Sequence, residues 1–200
     1  MGKKKTSKIE YDDPTVATLC KKYGNVIESG TKVLESLETY ETISVSPALD
    51  MALGGGLREG QVVVMTGDPK TGKTTTALYA AAKAQAKGKK VYYLNTEGRL
   101  TKQNFRGIKG LDVDAIQIVQ ATDDTPIVSA ETYLNIMERL LKEEENLFLI
   151  CDSTSNMVPQ DEIDGEIRTG VRNALPRLLS MFFKRISGDV SRMKAIAVFI

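Results

Sequence analysis

Gly67-Asp68-Pro69-Lys70-Thr71-Gly72-Lys73-Thr74 fills every position of the spacing G-x-x-x-x-G-K-[ST], a pattern that sets a glycine-rich loop and a lysine at the mouth of a helix. The flanks agree with it. The apolar run Val62-Val63-Val64-Met65 leads in as a strand, and an alanine-rich run from Thr74 to Lys87 leads out as a helix. A glycine-rich turn before an ordinary helix would need neither the lysine nor the hydroxyl. Gly67 and Gly72 let the backbone curl so that successive N–H groups point inward at a phosphate chain. The helix start near Lys73 adds its partial positive charge. Lys73 is placed to reach β and γ phosphates, and the Thr74 hydroxyl to join a Mg²⁺ that keeps water and phosphate oxygens as its other ligands. Thr75 brings a second hydroxyl. The loop therefore predicts a bound nucleotide with Mg²⁺.

At 200 residues with 42% hydrophobic content, the chain is long enough for one packed domain and a small appendage. Lys plus Arg number 27 and Asp plus Glu 26, a net charge of +1, so any contact with a polyanion must be local. No apolar run reaches the roughly 18 residues of a membrane span, and no signal peptide opens the chain, which predicts a cytoplasmic protein with no membrane partner. Cys20 and Cys151 lack metal spacing and read as reduced packing thiols. With no histidine in the sequence, serine-histidine and cysteine-histidine catalysis are excluded. General-base work falls to a carboxylate.

Residues 1–12, with Lys3-Lys4-Lys5 and Lys8, read as a solvated tail. Asp13-Pro14 is a helix entry for a run to Tyr23, with Gly24 as the stop. A short helix or strand is expected between Val26 and Leu37. From Ser46-Pro47 to Leu53 a short helix runs into the cluster Gly54-Gly55-Gly56, which feeds the strand before the loop. Val91-Tyr92-Tyr93-Leu94 is a second strand and Ile116-Gln117-Ile118-Val119 a third. Ser129 opens a helix whose Tyr133, Ile136, Met137, Leu140 and Leu141 share one face. Leu147-Phe148-Leu149-Ile150-Cys151 is a continuous apolar strand, as a central parallel strand covered on both faces should be. Strands alternating with helices predict an α/β fold, a doubly wound, mostly parallel sheet whose ligand lies at the carboxyl ends of its strands. Residues 1–40 form the appendage and 41–200 the main domain.

Two carboxylates follow strands. Asp152 closes the apolar strand, from which it can support Mg²⁺ through water or against Thr74; a helix N-cap is the plainer role for an aspartate there. Glu97 closes the neighbouring strand and can accept a proton from water attacking a γ-phosphate; a surface loop acid is the alternative. Asp50, before the glycine cluster, is expected to cap or pack locally.

Ser46-Pro47-Ala48-Leu49-Asp50-Met51-Ala52-Leu53-Gly54-Gly55-Gly56-Leu57, the loop Gly67 to Thr75, Asn95-Thr96-Glu97, Cys151-Asp152-Ser153 and Glu162-Ile163-Asp164-Gly165-Glu166-Ile167 stand in the order and approximate spacing of RecA-type recombinases. The sequence resembles that family, including its bacteriophage UvsX-like branch, over roughly residues 40 to 200. The resemblance implies a DNA-dependent ATPase that forms a helical filament on single-stranded DNA, takes up duplex DNA for strand exchange and works with a loading or mediator protein. Carried onto this chain, it implies that Lys73 and Thr74 hold phosphates and Mg²⁺, Glu97 activates water and Asp152 supports the metal. It places the first DNA-binding loop at Asp164, Gly165, Glu166, Ile167, Arg168, Thr169, Gly170, Val171 and Arg172. Arg177 and Lys184 fall on positions that touch the DNA backbone. The residues themselves add a local basic concentration, Arg168, Arg172, Arg177, Lys184 and Arg185, suited to phosphate contacts. A solvated helix face would look the same.

The chain also departs from the family's pattern. The loop after Glu166 is more basic than in the best-known bacterial members. At the adenine-stacking position Asn104 stands nearer the match than Phe105. The last six residues, Ala195-Ile196-Ala197-Val198-Phe199-Ile200, are a core-type strand, which predicts an open apolar sheet edge and poor solubility or activity of the 200 residues alone. The N-terminal appendage weakly resembles the helix and short strand that docks on the next subunit. A hexameric helicase-type DNA motor, a small-molecule kinase and a nucleotide-gated regulatory protein use the same loop and remain open at this point.

Overall fold

A computed structural model of the chain describes residues 14–165 and 174–200. By its contacts the chain divides into two units, one ending at Thr39 and one beginning at Tyr40. The first unit carries helices α1 (Pro14–Tyr23) and α2 (Gly30–Glu38). Pro14 suits the first turn of α1, where its missing N–H is not needed. The Ser29 hydroxyl accepts from the Lys32 N–H and caps α2. The expected helix or strand after Val26 is thus a helix, and neither helix buries a residue. Among the described residues before Tyr40 there is no strand.

The second unit follows the order β1 (Thr42–Ile43), α3 (Pro47–Leu53), β2 (Leu57–Arg58), β3 (Gln61–Val64), α4 (Lys73–Ala86), β4 (Lys90–Asn95), α5 (Lys102–Phe105), β5 (Ile116–Val119) and α6 (Ala130–Glu143). It continues with β6 (Leu147–Asp152), a short 3₁₀ turn at Thr154–Asn156, α7 (Gln160–Asp164), α8 (Leu175–Arg192) and β7 (Ile196–Phe199). Five strands form one parallel sheet in the order β3-β7-β6-β4-β5. The α/β, doubly wound reading is borne out.

Every residue of β6 is buried, because helices cover both faces of the sheet. Along β6 the side chains alternate between two cores. Phe148 and Ile150 join Val91 and Tyr93 under the alanine face of α4, formed by Ala77, Ala80, Ala81 and Ala84. Leu147, Leu149 and Cys151 face α6 and α8 instead. Burying each such leucine or isoleucine stabilises the fold by roughly 1.5–3 kcal/mol. Phe183 of α8 meets Phe199 of β7 edge to face with ring centroids 4.9 Å apart. Helix α6 buries Tyr133, Met137 and Leu141 as the periodicity predicts, but also Leu134 and Glu138, while Ile136 and Leu140 stand at the margin. The apolar face is rotated toward α8 because Glu138 can enter it paired with Lys142 and Arg185.

The position of the last strand is a correction. Strand β7 lies between β3 and β6, fully buried, so it leaves no open edge. The edge strands are β3, where Val62 and Val64 are 37% and 61% accessible, and β5, where Ile118 is 40% accessible. The sequence order of the strands hid this, since a crossover through α8 returns the chain to the middle of the sheet. At the amino-terminal end of the sheet, Lys89 donates to Glu59 and to Asn146 in a buried cluster, with side chains 1% and 5% exposed for the lysine and the glutamate.

Candidate nucleotide site

Parallel strands end together, so the turns after β3, β4 and β6 share one end of the sheet. There they line a cleft of about 670 Å³ that includes Gly67, Pro69, Lys70, Gly72, Lys73, Thr74 and Thr75 on one side and Glu97, Asp152 and Ser153 on the other. Gly72 holds a left-handed conformation at φ 92° and Gly67 one at φ 152°, which a side chain would strain. A Cβ at Gly67 would also stand 3.3 Å from the Thr71 hydroxyl oxygen. Gly72 begins α4 without a side-chain cap, so the helix mouth opens on the cleft. The Thr71 hydroxyl donates to the Asp68 carbonyl across 2.8 Å and tightens the turn. Lys73 Nζ folds back onto the loop, 2.9 Å from the carbonyl oxygens of both Gly67 and Asp68. Its ammonium therefore stands inside the concavity that the loop encloses.

The small residues of α4 let that helix lie close on the sheet, and this brings Thr74 to the end of β6. Thr74 Oγ1 donates to Asp152 Oδ2 across 2.6 Å. Asp152 is buried and caps no helix: the 3₁₀ turn that follows is preceded by Ser153, which makes no side-chain cap. Its carbonyl accepts from the N–H groups of Thr96 and Glu97, at 3.0 and 3.3 Å, and the Thr96 hydroxyl donates to the Ser153 carbonyl at 2.6 Å. These bonds tie the end of β4 to the end of β6. Glu97 is left exposed at the cleft wall, beside Arg99 and Asn104.

Tyr93 was not legible as a site residue. Its ring is 1% exposed, yet its hydroxyl donates to the same Asp152 Oδ2 across 2.7 Å. Burial, and then the neighbouring carboxylate, push the phenol well above its ordinary acidity range, so it stays a proton donor. The signal was a tyrosine two residues before Asn95, on the same face of β4. Asn95 lies directly opposite Asp152 in the register, which sets Tyr93 diagonal to the carboxylate and within reach of its long side chain. Near the adenine-stacking position, Asn104 lines the cleft and Phe105 packs into the core beneath α4. Asp50 acts locally, accepting from the Ser44 hydroxyl at 2.6 Å and the Val45 N–H at 2.8 Å, and these bonds lower its pKa.

Of the residues expected to touch DNA, Glu166, Ile167, Arg168, Thr169, Gly170, Val171 and Arg172 lie outside the described residues. Asp164 ends α7, where its carboxylate accepts from the Gln160 side-chain amide at 2.9 Å, and Gly165 follows it as the cap. Arg177 and Lys184 are exposed about two turns apart on one face of α8. Arg185 points elsewhere: its guanidinium pairs with Glu138 at 2.7 Å, which removes it from the basic group read in the sequence.

An oxygen-only set suits Mg²⁺, and the bonded pair Thr74–Asp152 brings one hydroxyl and one carboxylate together rather than a protein cage. Among the described residues no three of His, Cys, Asp and Glu converge as a metal site. That fits a cation held mainly by phosphate oxygens and water. Among the described residues no helix is long and apolar enough to cross a membrane.

The RecA N-terminal domain family matches residues 13–200. Protein RecA of Arthrobacter sp. strain FB24 is 34% identical over 94% of this chain and 52% of its own length. Protein RecA of Lactobacillus johnsonii is 33% identical over 88% of this chain and 47% of its own. That of Clostridium acetobutylicum is 31% identical over 96% and 54%. The chain thus spans about half the length of the curated relatives it matches. With the RecA N-terminal domain matched over residues 13–200, the chain belongs to the RecA family.

Proposed function

We propose that this chain is the nucleotide-binding part of an ATP-dependent recombinase, which binds single-stranded DNA as a helical filament and exchanges strands with duplex DNA. The observation that carries the reading is the Thr74–Asp152 bond with Glu97 tied beside it at the carboxyl end of the sheet. The loop from Gly67 to Thr75 cradles the phosphates of ATP with backbone N–H groups, and Lys73 exchanges its two carbonyl partners for β and γ phosphate oxygens. The Thr74 hydroxyl oxygen and the Asp152 carboxylate would hold Mg²⁺. The cation, when bound, neutralises charge on the phosphates. Glu97 takes a proton from water as its oxygen bonds to the γ-phosphorus; the bond to the bridging oxygen breaks and ADP leaves.

The DNA contacts are assigned to the stretch from Asp164 to Arg172, with Arg177 and Lys184 supplying phosphate contacts from α8. No aromatic ladder accompanies them, so the grip is mainly electrostatic and should weaken with salt. The helices of residues 14–38 are assigned to self-association, since they leave Val33 and Leu34 40% and 63% exposed. The cytoplasm of a bacterium or of a phage-infected host is the compartment that suits this work.

The test is ATP hydrolysis with and without single-stranded DNA, with Glu97→Gln alongside. Stimulation by DNA that vanishes in the variant, with ATP binding retained, is the expected result. Equal turnover in the variant would remove Glu97 from the chemistry.

A further inference from the structure

Asp152 Oδ2 receives two hydroxyl donors, Thr74 from α4 and Tyr93 from β4, and each bond crosses between different elements. A carboxylate turns readily about its terminal torsion, which has broad, roughly two-fold wells. Two donors on one oxygen hold it in a single orientation. The consequence falls on Thr74. A threonine hydroxyl has one proton and two lone pairs, and here the proton is directed at Asp152, which leaves the lone pairs for a cation. The free lone pairs of Asp152, on Oδ1 especially, can then receive water from that cation's shell.

Tyr93 is built into this arrangement. Tyr93 lines a small cavity of about 100 Å³ with Thr74, Asn95, Glu97 and Asp152, beside the main cleft, whose own lining does not include Tyr93. A phenylalanine would fill the same core position under α4 without donating. The ring belongs to the core cluster that includes Ala77 and Ala81, and the hydroxyl's hydrogen-bond partner is Asp152.

We propose that Tyr93 is a positioning residue for the Mg²⁺–nucleotide complex, fixing Asp152 so that Thr74 presents an oxygen lone pair to the cation. This rests on the nucleotide site proposed above. It assigns to Tyr93 no contact with nucleotide, water or metal.

The experiment is a Mg²⁺ titration of the binding of a fluorescent, non-hydrolysable ATP analogue to the 200-residue chain. Wild type, Tyr93→Phe and Tyr92→Phe are compared, the last removing a hydroxyl from the opposite face of the same strand. Loss of a hydrogen bond behind a metal-supporting carboxylate is expected to raise the half-saturating Mg²⁺ about tenfold in Tyr93→Phe. Binding in EDTA should stay unchanged, and Tyr92→Phe should follow wild type. A Tyr93→Phe curve that superimposes on wild type overturns the proposal. So does an equal loss of affinity with and without Mg²⁺, which would mark a structural role alone. A wild-type chain that does not bind the analogue at all overturns the nucleotide reading itself, a different failure. Should Tyr93→Phe not fold, 3-fluorotyrosine placed at position 93 keeps the hydroxyl and supplies a ¹⁹F resonance. That resonance should shift when Mg²⁺ joins bound nucleotide, and one indifferent to Mg²⁺ overturns the proposal equally.

Discussion

The Thr74 hydroxyl donates to Asp152 Oδ2 across 2.6 Å, joining the first turn of α4 to the end of β6 over 78 residues of sequence. The same oxygen serves Tyr93, so the carboxylate that lines the cleft is also a structural acceptor. Asp152→Ala should therefore cost stability as well as turnover. It leaves the buried Tyr93 hydroxyl without its acceptor, a loss of about 1–3 kcal/mol in urea denaturation. Asp152→Asn keeps an acceptor oxygen and should lose less stability, while hydrolysis still falls about a hundredfold. Equal stability of wild type and Asp152→Ala would contradict the shared role.

Lys73→Ala should separate binding from folding in the opposite sense. Among the described residues the ammonium donates to two carbonyls of an exposed loop, so the melting free energy should change by no more than about 0.5 kcal/mol. Triphosphate affinity, measured by equilibrium titration, should fall about tenfold or more as a charge-assisted contact is lost. Wild-type affinity in this variant would displace the site.

The buried Lys89–Glu59 pair makes a prediction far from the cleft. Lys89→Met strands a carboxylate that is 5% exposed and should destabilise the chain by about 3–5 kcal/mol. Replacing Glu59 by Leu as well should recover much of that loss, because two apolar groups need no desolvated charge between them. Denaturation of the single and double variants measures both. A double variant no more stable than Lys89→Met would show that the pair specifies packing its replacements cannot supply.

Glu138 gives a pH dependence. Lys142 first, and then Arg185, hold its carboxylate below the ordinary value of 4.5. A depressed folded-state pKa stabilises the fold above the unfolded value, and that stabilisation is lost as pH falls through the folded one. The gap in unfolding free energy between wild type and Glu138→Gln should be about 1 kcal/mol near neutral pH and shrink below about pH 4.5. A gap that widens in acid would reverse the sign and refute the pairing.

The local features of the fold were legible because they rest on local rules. The run Leu147 to Cys151 is apolar at every position, and only a strand covered on both faces accommodates that. The loop Gly67 to Thr74 carries its own geometry in its glycines. Leu134 was missed on α6 because the apolar face was centred on Tyr133, Met137 and Leu141, and a glutamate four residues further on gave no hint that this side is covered. Glu138 is accepted there only because Arg185 arrives from α8.

Sequence alone therefore determined the class of fold, the glycine-rich loop before α4 and the two strand-end carboxylates, since each is written in residues close along the chain. Tertiary structure alone decided that β7 lies inside the sheet and β3 at its edge, because strand order is set by pairing between segments more than a hundred residues apart, such as Val62 with Ala197. It also decided where the Tyr93 hydroxyl donates. A tyrosine in a buried strand reads as packing until the register sets its hydroxyl diagonal to Asp152, and register is a property of two strands that neither contains by itself.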